Sequence, residues 1–111
     1  MDAEGRTSGL ERPDIEPPRF VELACRALGA AADDLRTPGQ GAAASRLRYL
    51  VAALAIERWR IRSGQLSELV GRRPEVVSRW ARRGGELRLS DPSFAAALDE
   101  ADTTVSRALA D

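Results

Sequence analysis

Residues 65–83, QLSELVGRRPEVVSRWARR, contain the pattern that decides the fold. Apolar residues recur at helical spacing in 65–70 and again in 74–83, and the intervening 71–73 begins with a glycine that permits a sharp turn. The proline that opens the second segment suits the first residue of a helix, because its missing N–H would have no partner there. These features predict two helices joined by a tight turn, the spacing of a helix-turn-helix unit. The side chains predicted to face one common core are Leu66, Leu69, Val70 and Val77.

The rest of the chain is predicted to add helices around this unit. Apolar stripes at helical spacing predict helices near 18–28, 42–62 and 92–109, with a short turn at 32–35 and a loop at 37–41. The long helix is apolar on most sides of its middle, so we expect it to be the central packing helix. A chain of 111 residues has room for one core. The predicted fold class is therefore all-α, a compact bundle of about five to six helices.

Glycines mark two of the predicted helix ends. Gly29 follows the first helix and offers a left-handed C-cap. Gly84 and Gly85 are expected to end the second helix of the unit just after Arg83. Arg82 and Arg83 would then also complement the negative end of that helix's dipole.

The last predicted helix, 92–109, has an apolar side and an acidic side. Its apolar stripe is expected to pack back on the core, although such a stripe could also join two copies in a homodimer. The acids expected on the opposite side are Asp99, Glu100 and Asp102. The aromatic residues predicted to be core rather than stacking residues are Tyr49, Trp59 and Trp80.

The chain is predicted to consist of a tail and one domain. Residues 1–17 alternate charges with glycine and proline and lack apolar periodicity, which predicts a disordered tail, and 18–111 form the domain. No segment has the pattern of a signal peptide. The longest apolar run, 50–56, is far shorter than the roughly 20 residues that a membrane span needs. We therefore expect a cytoplasmic protein with no membrane association, located at the nucleoid if it binds DNA.

The composition argues against catalysis. The chain has no histidine and all 17 basic residues are arginine, so the commonest acid–base residue and the lysine nucleophile are both missing. The single cysteine, Cys25, has no partner for an internal disulfide and too few companions for a zinc site, so it is expected to be a buried small hydrophobe. We predict a protein that is not an enzyme and has no metal, no cofactor and no small-molecule substrate.

The charges are segregated along the chain although the formal net charge is zero. Residues 46–88 hold eleven arginines and four acids, a net charge of +7, whereas 1–45 carry −3 and 89–111 carry −4. A strong local positive field favours a polyanionic partner, because each neutralised phosphate releases condensed counterions. The alternative is a solvated face whose arginines pair with the acidic flanks.

The second helix of the unit has a polar, arginine-rich side opposite its core positions. A helix-turn-helix leaves the N-terminal end of this helix, 74–83, free to enter the major groove of duplex DNA. Arg79 would read guanine or hold a phosphate, and Glu75 would accept from cytosine N4 or orient Arg79. The residues predicted nearest to the bases are Arg73, Glu75, Val76 and Arg79. Those predicted to hold phosphates are Arg46, Arg48, Arg72, Ser78, Arg82 and Arg83.

Four ordered segments of the chain carry a resemblance to a known family. They are CRALG at 25–29, DLRTPG at 34–39, the long helix from 46 to 58, and LVGRRPEVVSR at 69–79. In this order they resemble the C-terminal DNA-binding domain of the DnaA replication initiator family, in the form at the tail of some REP-associated tyrosine transposases, over roughly three-quarters of the chain. The resemblance implies a TrpR-like helical bundle whose helix-turn-helix enters the major groove, while a basic loop before the long helix reaches the minor groove or backbone.

The chain also departs from that family. The initiator's signature has Asp-His-Thr-Thr where this chain has Arg73 to Val76, so the DNA sequence it would read stays open. The loop at 39–44 has no basic residue, and the first basic residues after it are Arg46 and Arg48. A lysine-free chain has no Walker-type loop and a histidine-free chain has no nuclease histidine pair, so only the binding part of either protein is expected.

Two functional hypotheses follow. The leading one is a double-stranded DNA-binding module that inserts helix 74–83 into the major groove, either the detached tail of a mobile-element protein or a small regulator. The alternative is a helical protein–protein interaction module that has kept this fold and lost DNA binding. An enzyme would need clustered carboxylates in a cleft, and the sequence shows no such cluster outside the predicted exposed helix faces.

Overall fold

A computed structural model describes residues 14–36 and 41–110 of the chain as helices joined by short links. The helices are α1 (Pro17–Ala27), α2 (Asp33–Arg36), α3 (Ala42–Ala53, continued by a π-helical segment, Leu54–Arg58), α4 (Ser63–Val70), α5 (Pro74–Ser90) and α6 (Pro92–Ala110). Within these two ranges there is no β-strand, and the predicted all-α bundle is confirmed. Most of the predicted tail at 1–17 and of the predicted loop at 37–41 lies outside the described residues.

Local sequence signals account for the ends of α1 and the start of α6. Gly29 has φ +75°, and the N–H of Ala30 closes α1 by donating to the carbonyl of Cys25 at 2.8 Å, so the predicted left-handed cap is confirmed. At α6, the Oδ1 of Asp91 accepts from the backbone N–H of Ser93 at 3.0 Å and of Phe94 at 3.3 Å. This is the N-cap role that aspartate favours.

The long helix predicted at 42–62 ends earlier than expected. After the π-helical segment, Arg60 adopts a left-handed conformation with φ +58°, and the N–H of Ile61 donates back to the carbonyl of Ala55 at 2.9 Å. This reversal turns Trp59 and Ile61 into the core. A continuous helix would have pointed the two side chains, which are two residues apart, in different directions.

The prediction that the second helix of the unit ends at Gly84–Gly85 is wrong, because α5 continues to Ser90. Gly84 is buried against α3, and a Cβ atom there would lie 2.6 Å from the carbonyl oxygen of Tyr49 and 2.8 Å from the Cβ of Ala53. The glycine therefore serves close helix packing and not helix termination. Arg82 and Arg83 consequently lie mid-helix, and Arg88 is the basic residue of the last turn. The role expected for them at the C-terminal dipole falls to Arg88.

The core is one cluster of side chains from all six helices. The apolar stripe of α6, represented by Phe94, Leu98 and Val105, is fully buried, and α6 packs closely against α1. Trp59 is buried with its ring 6.1 Å from that of Phe20, centroid to centroid. Tyr49 and Trp80 are half-buried against the same core, so the prediction that the three aromatic residues belong to the core is confirmed.

Asp102 was expected on the exposed side of the last helix and is instead buried, at 9% exposure. Its Oδ1 accepts from the indole Nε1–H of Trp59 at 2.9 Å, and its Oδ2 lies 3.1 Å from a guanidinium nitrogen of Arg58. Arg58 also pairs with the more exposed Asp99 at 2.9 Å. Burial lowers the pKa of Arg58, but the hydrogen bonds and charges of the two aspartates outweigh burial and raise that pKa above its ordinary value.

Cys25 is fully buried in α1, which confirms its predicted place in the core. Burial, helped by the negative charge of Asp34, raises the pKa of its thiol to about 11. We therefore expect a thiol reagent at about pH 8 to label the folded protein far more slowly than the urea-unfolded protein, because only the thiolate reacts. Rapid labelling of the folded protein would contradict this burial.

The same shift predicts a loss of stability in alkali. The folded pKa lies above that of an unfolded thiol, about 8.5, so the contribution of Cys25 is complete below about pH 8.5 and is lost as the pH rises through 11. The urea concentration at the unfolding midpoint should fall between about pH 8 and about pH 10.5, and the fall should be larger for the wild type than for Cys25→Ala. Equal falls would show that other groups cause the alkaline loss.

None of the described helices combines the length and the apolar character that crossing a membrane requires.

Candidate nucleic-acid interface

The unit formed by α4, a tight turn and α5 positions the candidate site. α4 ends at Val70 and is followed by Gly71, whose φ of +68° is a left-handed conformation that glycine adopts without strain. The N–H of Arg72 donates to the carbonyl of Ser67 at 3.2 Å, and Arg73 is extended before the proline that opens α5. Behind the turn, Val77 is fully buried among core side chains that include those of α4. This packing fixes which side of α5 faces outward.

The outward side of α5 carries most of the predicted site residues. The buried positions of the helix are Val77, Ala81 and Gly84, which are spaced so that they share one face. The opposite side, together with the turn before it, presents five basic residues that we call the arginine face: Arg72, Arg73, Arg79, Arg82 and Arg83. All are exposed except Arg72, which is half-buried.

Most of the arginine face has no carboxylate partner among residues 14–36 and 41–110. Arg83 pairs with Glu86 at 3.1 Å, and the Arg72 guanidinium donates to the carbonyl of Gly71 at 3.3 Å. Arg73, Arg79 and Arg82 have no acid of the described ranges within ion-pair distance. These three guanidinium groups therefore present their charge to solvent.

The four residues predicted nearest to the bases lie together at the start of α5 and the turn before it. Arg73, Glu75 and Arg79 are exposed, and Val76 is half-buried. Glu75 and Arg79 are one turn apart but do not form an ion pair, so the predicted orienting of Arg79 by Glu75 is not seen in this structure.

The six residues predicted to hold phosphates are not all on one surface. Arg46 reaches α6, where it donates to the hydroxyl of Ser93 at 3.1 Å, approaches Asp91 at 3.9 Å and lies 5.6 Å from the ring centroid of Phe94. Arg46 is thus one arginine that pairs with an acidic flank, as the alternative interpretation of the charges expected. Sequence alone could not show this contact, since its partners lie more than forty residues away.

The other two predicted phosphate residues outside the arginine face also have contacts within the protein. Arg48 lies over the ring of Trp80, at 5.8 Å from its centroid, and this contact links α3 to α5. Ser78 shares a hydrogen bond of 2.8 Å with the hydroxyl of Ser63 at the start of α4. The phosphate candidates that belong to the arginine face are Arg72, Arg82 and Arg83.

Two further exposed arginines, Arg60 and Arg62, are not among the predicted site residues. Arg60 and Arg62 had been included in the predicted helix 42–62, but they belong to the link between the π-helical segment and α4. The left-handed conformation of Arg60 has no signal in the sequence, because the residues that favour that conformation are glycine and asparagine.

Comparison of the chain with models of protein families, with curated proteins and with solved structures gives no match. The geometry defines the class of molecule: an all-α bundle of six described helices with an exposed arginine face on α5. The resemblance to the DnaA domain stays a prediction.

Proposed function

We propose that this protein binds double-stranded DNA through the arginine face, with α4, the turn and α5 acting as a helix-turn-helix. The observation that carries the proposal is that Arg73, Arg79 and Arg82 are exposed on one helix unit with no carboxylate partner among the described residues. An α-helix with its side chains is about 10–12 Å across and the major groove is about 12 Å wide, so α5 would fit the groove.

In this proposal the start of α5 reads the base edges. Arg79 can present a two-pronged fork to guanine O6 and N7, and Glu75 can accept from cytosine N4. The half-buried Val76 offers an apolar contact for a thymine methyl group. Arg82 and Arg83 lie one or two turns further along and would hold the phosphates that border the groove.

The biological setting that we propose follows from the resemblance to the DnaA domain. It is a DNA-binding module without catalytic activity, derived from the tail of a mobile-element protein or serving as a small regulator. A protein–protein interaction module is less well supported. Leu89 is the one large hydrophobic side chain that is well exposed in the described ranges, at 79%, and the apolar stripe of α6 that would join two copies is buried in the chain's own core.

Binding of random duplex DNA, measured by fluorescence anisotropy across a salt series, tests the proposal. We expect a steep loss of affinity with salt, because phosphate contacts release counterions. Arg82→Ala should lower the slope of log affinity against log salt concentration by about 1. Arg79→Ala should weaken binding to a selected DNA sequence by about 1–3 kcal/mol.

Arg107→Ala is the matched control, because it removes the same charge from an exposed position of α6 outside the arginine face. It should change affinity by much less than either α5 variant. Undetectable binding of the wild type at low salt would refute the proposed function, and equal losses in all three variants would show that the arginine face is not the binding surface.

A further inference from the structure

The link between the π-helical segment and α4 holds an arginine in a strained backbone conformation. Arg60 has φ +58°, the one positive φ of a non-glycine residue in the described ranges. Ile61 is buried, whereas Arg60 and Arg62 on either side of it are exposed. The link therefore projects two guanidinium groups to solvent at a position where glycine would be more stable.

A hydrogen bond brings this link beside α5. The hydroxyl groups of Ser63 and Ser78 lie 2.8 Å apart, so the residue after Arg62 contacts the second turn of α5. Arg82 lies one turn beyond Ser78 on the same side of α5 and is exposed. Arg62 directly precedes Ser63, and Arg60 lies two residues earlier. Arg60, Arg62 and Arg82 therefore form a cluster of exposed positions on the two segments that the hydroxyl groups join.

This cluster concentrates positive charge. None of its three guanidinium groups has a carboxylate within ion-pair distance among residues 14–36 and 41–110. The carboxylate of Glu57 lies nearby against Gly85, about one turn from Arg82, but makes no ion pair with the cluster. Like charges on two adjoining segments raise the local potential, and guanidinium forks with hydroxyl donors match the geometry of a phosphate.

We propose that Arg60, Arg62 and Arg82, with the hydroxyl groups of Ser63 and Ser78, form a phosphate-binding site that takes a backbone phosphate of DNA. The identity of the phosphate rests on the proposed function, whereas the affinity for a phosphate group does not. The site extends the contact from the α5 groove helix to the link before α4.

Two kinds of substitution at position 60 separate charge from strain. Arg60→Gln removes the charge and keeps the strained conformation, whereas Arg60→Gly removes both. We expect Arg60→Gly to raise the Tm by about 5 °C, because glycine adopts a positive φ without strain. Both variants should lose affinity for duplex DNA to the same extent, so one of them is more stable and yet binds less well.

The double variant Arg60→Gln/Arg62→Gln measures the whole contribution of the link. It should lower the salt slope by about 1 and weaken binding roughly tenfold at about 0.1 M salt. Circular dichroism confirms that each variant is folded. If the double variant binds like the wild type while Arg79→Ala is weakened, this site is overturned and the proposed function stands.

An inorganic phosphate titration followed by amide NMR tests the site without DNA. Shifts of the amides of residues 60, 62 and 63 that vanish in the double variant would support the site, even if the wild type fails to bind duplex DNA and the proposed function is lost. Absence of these shifts in the wild type, together with unchanged DNA binding by the double variant, would overturn the proposal.

Discussion

Replacement of Gly84 by alanine should destabilise the fold by about 1–3 kcal/mol. The added Cβ atom would lie 2.6 Å from the carbonyl oxygen of Tyr49 and 2.8 Å from the Cβ of Ala53, closer than such atoms can approach. The carbonyl belongs to the backbone of α3 and cannot rotate away, so α3 and α5 must separate and lose packing contacts along their interface. The higher helix propensity of alanine offsets only about 1 kcal/mol of this loss.

Gly85→Ala is the matched control, because the two glycines are neighbours in the same helix. A Cβ atom at position 85 would meet the Oε2 of Glu57 at 2.9 Å, and this flexible carboxylate can swing aside. We expect Gly85→Ala to be neutral or to stabilise the protein by up to about 1 kcal/mol. Urea denaturation measures both variants, and similar free energies of unfolding for the two would contradict the close contact between α3 and α5.

Asp102→Ala should destabilise the fold by about 3–5 kcal/mol. The change removes an acceptor of the Trp59 indole N–H and one carboxylate partner of Arg58. The Trp59 and Arg58 side chains both lie largely out of water. A buried donor that loses its acceptor keeps the full cost of its desolvation. Asp102→Asn retains the shape and one acceptor but presents no charge to Arg58, so its effect should be intermediate.

Asp99→Ala provides the comparison for this cluster. Asp99 also pairs with Arg58, at 2.9 Å, but its side chain is 67% exposed. Exposed ion pairs contribute little, so a loss below about 1 kcal/mol is expected. Thermal or urea unfolding of both variants decides the matter, and a loss for Asp99→Ala as large as that for Asp102→Ala would show that burial is not what makes Asp102 important.

Local signals were sufficient to predict several elements of this protein. The ends of α1 and α6 were placed within about one residue, because glycine after α1 and aspartate–proline before α6 act through hydrogen bonds between near neighbours. The turn at Gly71 and the burial of Val77 were predicted for the same reason, since the apolar spacing and the left-handed glycine belong to one short segment.

Two predictions were wrong because the roles of the residues depend on contacts with distant parts of the chain. A glycine pair inside a helical pattern looks like a helix end, and only the contact with Tyr49 and Ala53, about thirty residues earlier, shows that Gly84 permits close packing. Asp102 looks like a surface acid until Trp59 turns inward and places its indole N–H against the carboxylate. The sequence pattern could not anticipate either contact.

In the candidate site, too, some features follow from local sequence and others from contacts between distant residues. The net charge of +7 over 46–88 and the spacing of arginines along α5 were readable in advance, because helical periodicity alone decides which residues share a side. The sequence could not show that Arg46 is bound to the start of α6 or that Ser63, the residue after Arg62, contacts α5.

For this protein the sequence by itself predicted the all-α class, two helices joined by a tight turn at Gly71 and an arginine-rich side of the second helix, since all three depend on neighbours within a few turns of chain. The tertiary structure decided where α3 ends, why Gly84 lies inside α5, and which arginines pair with acids of the described residues. Those outcomes depend on contacts between residues far apart in the chain, and they are determined only when the helices pack against one another.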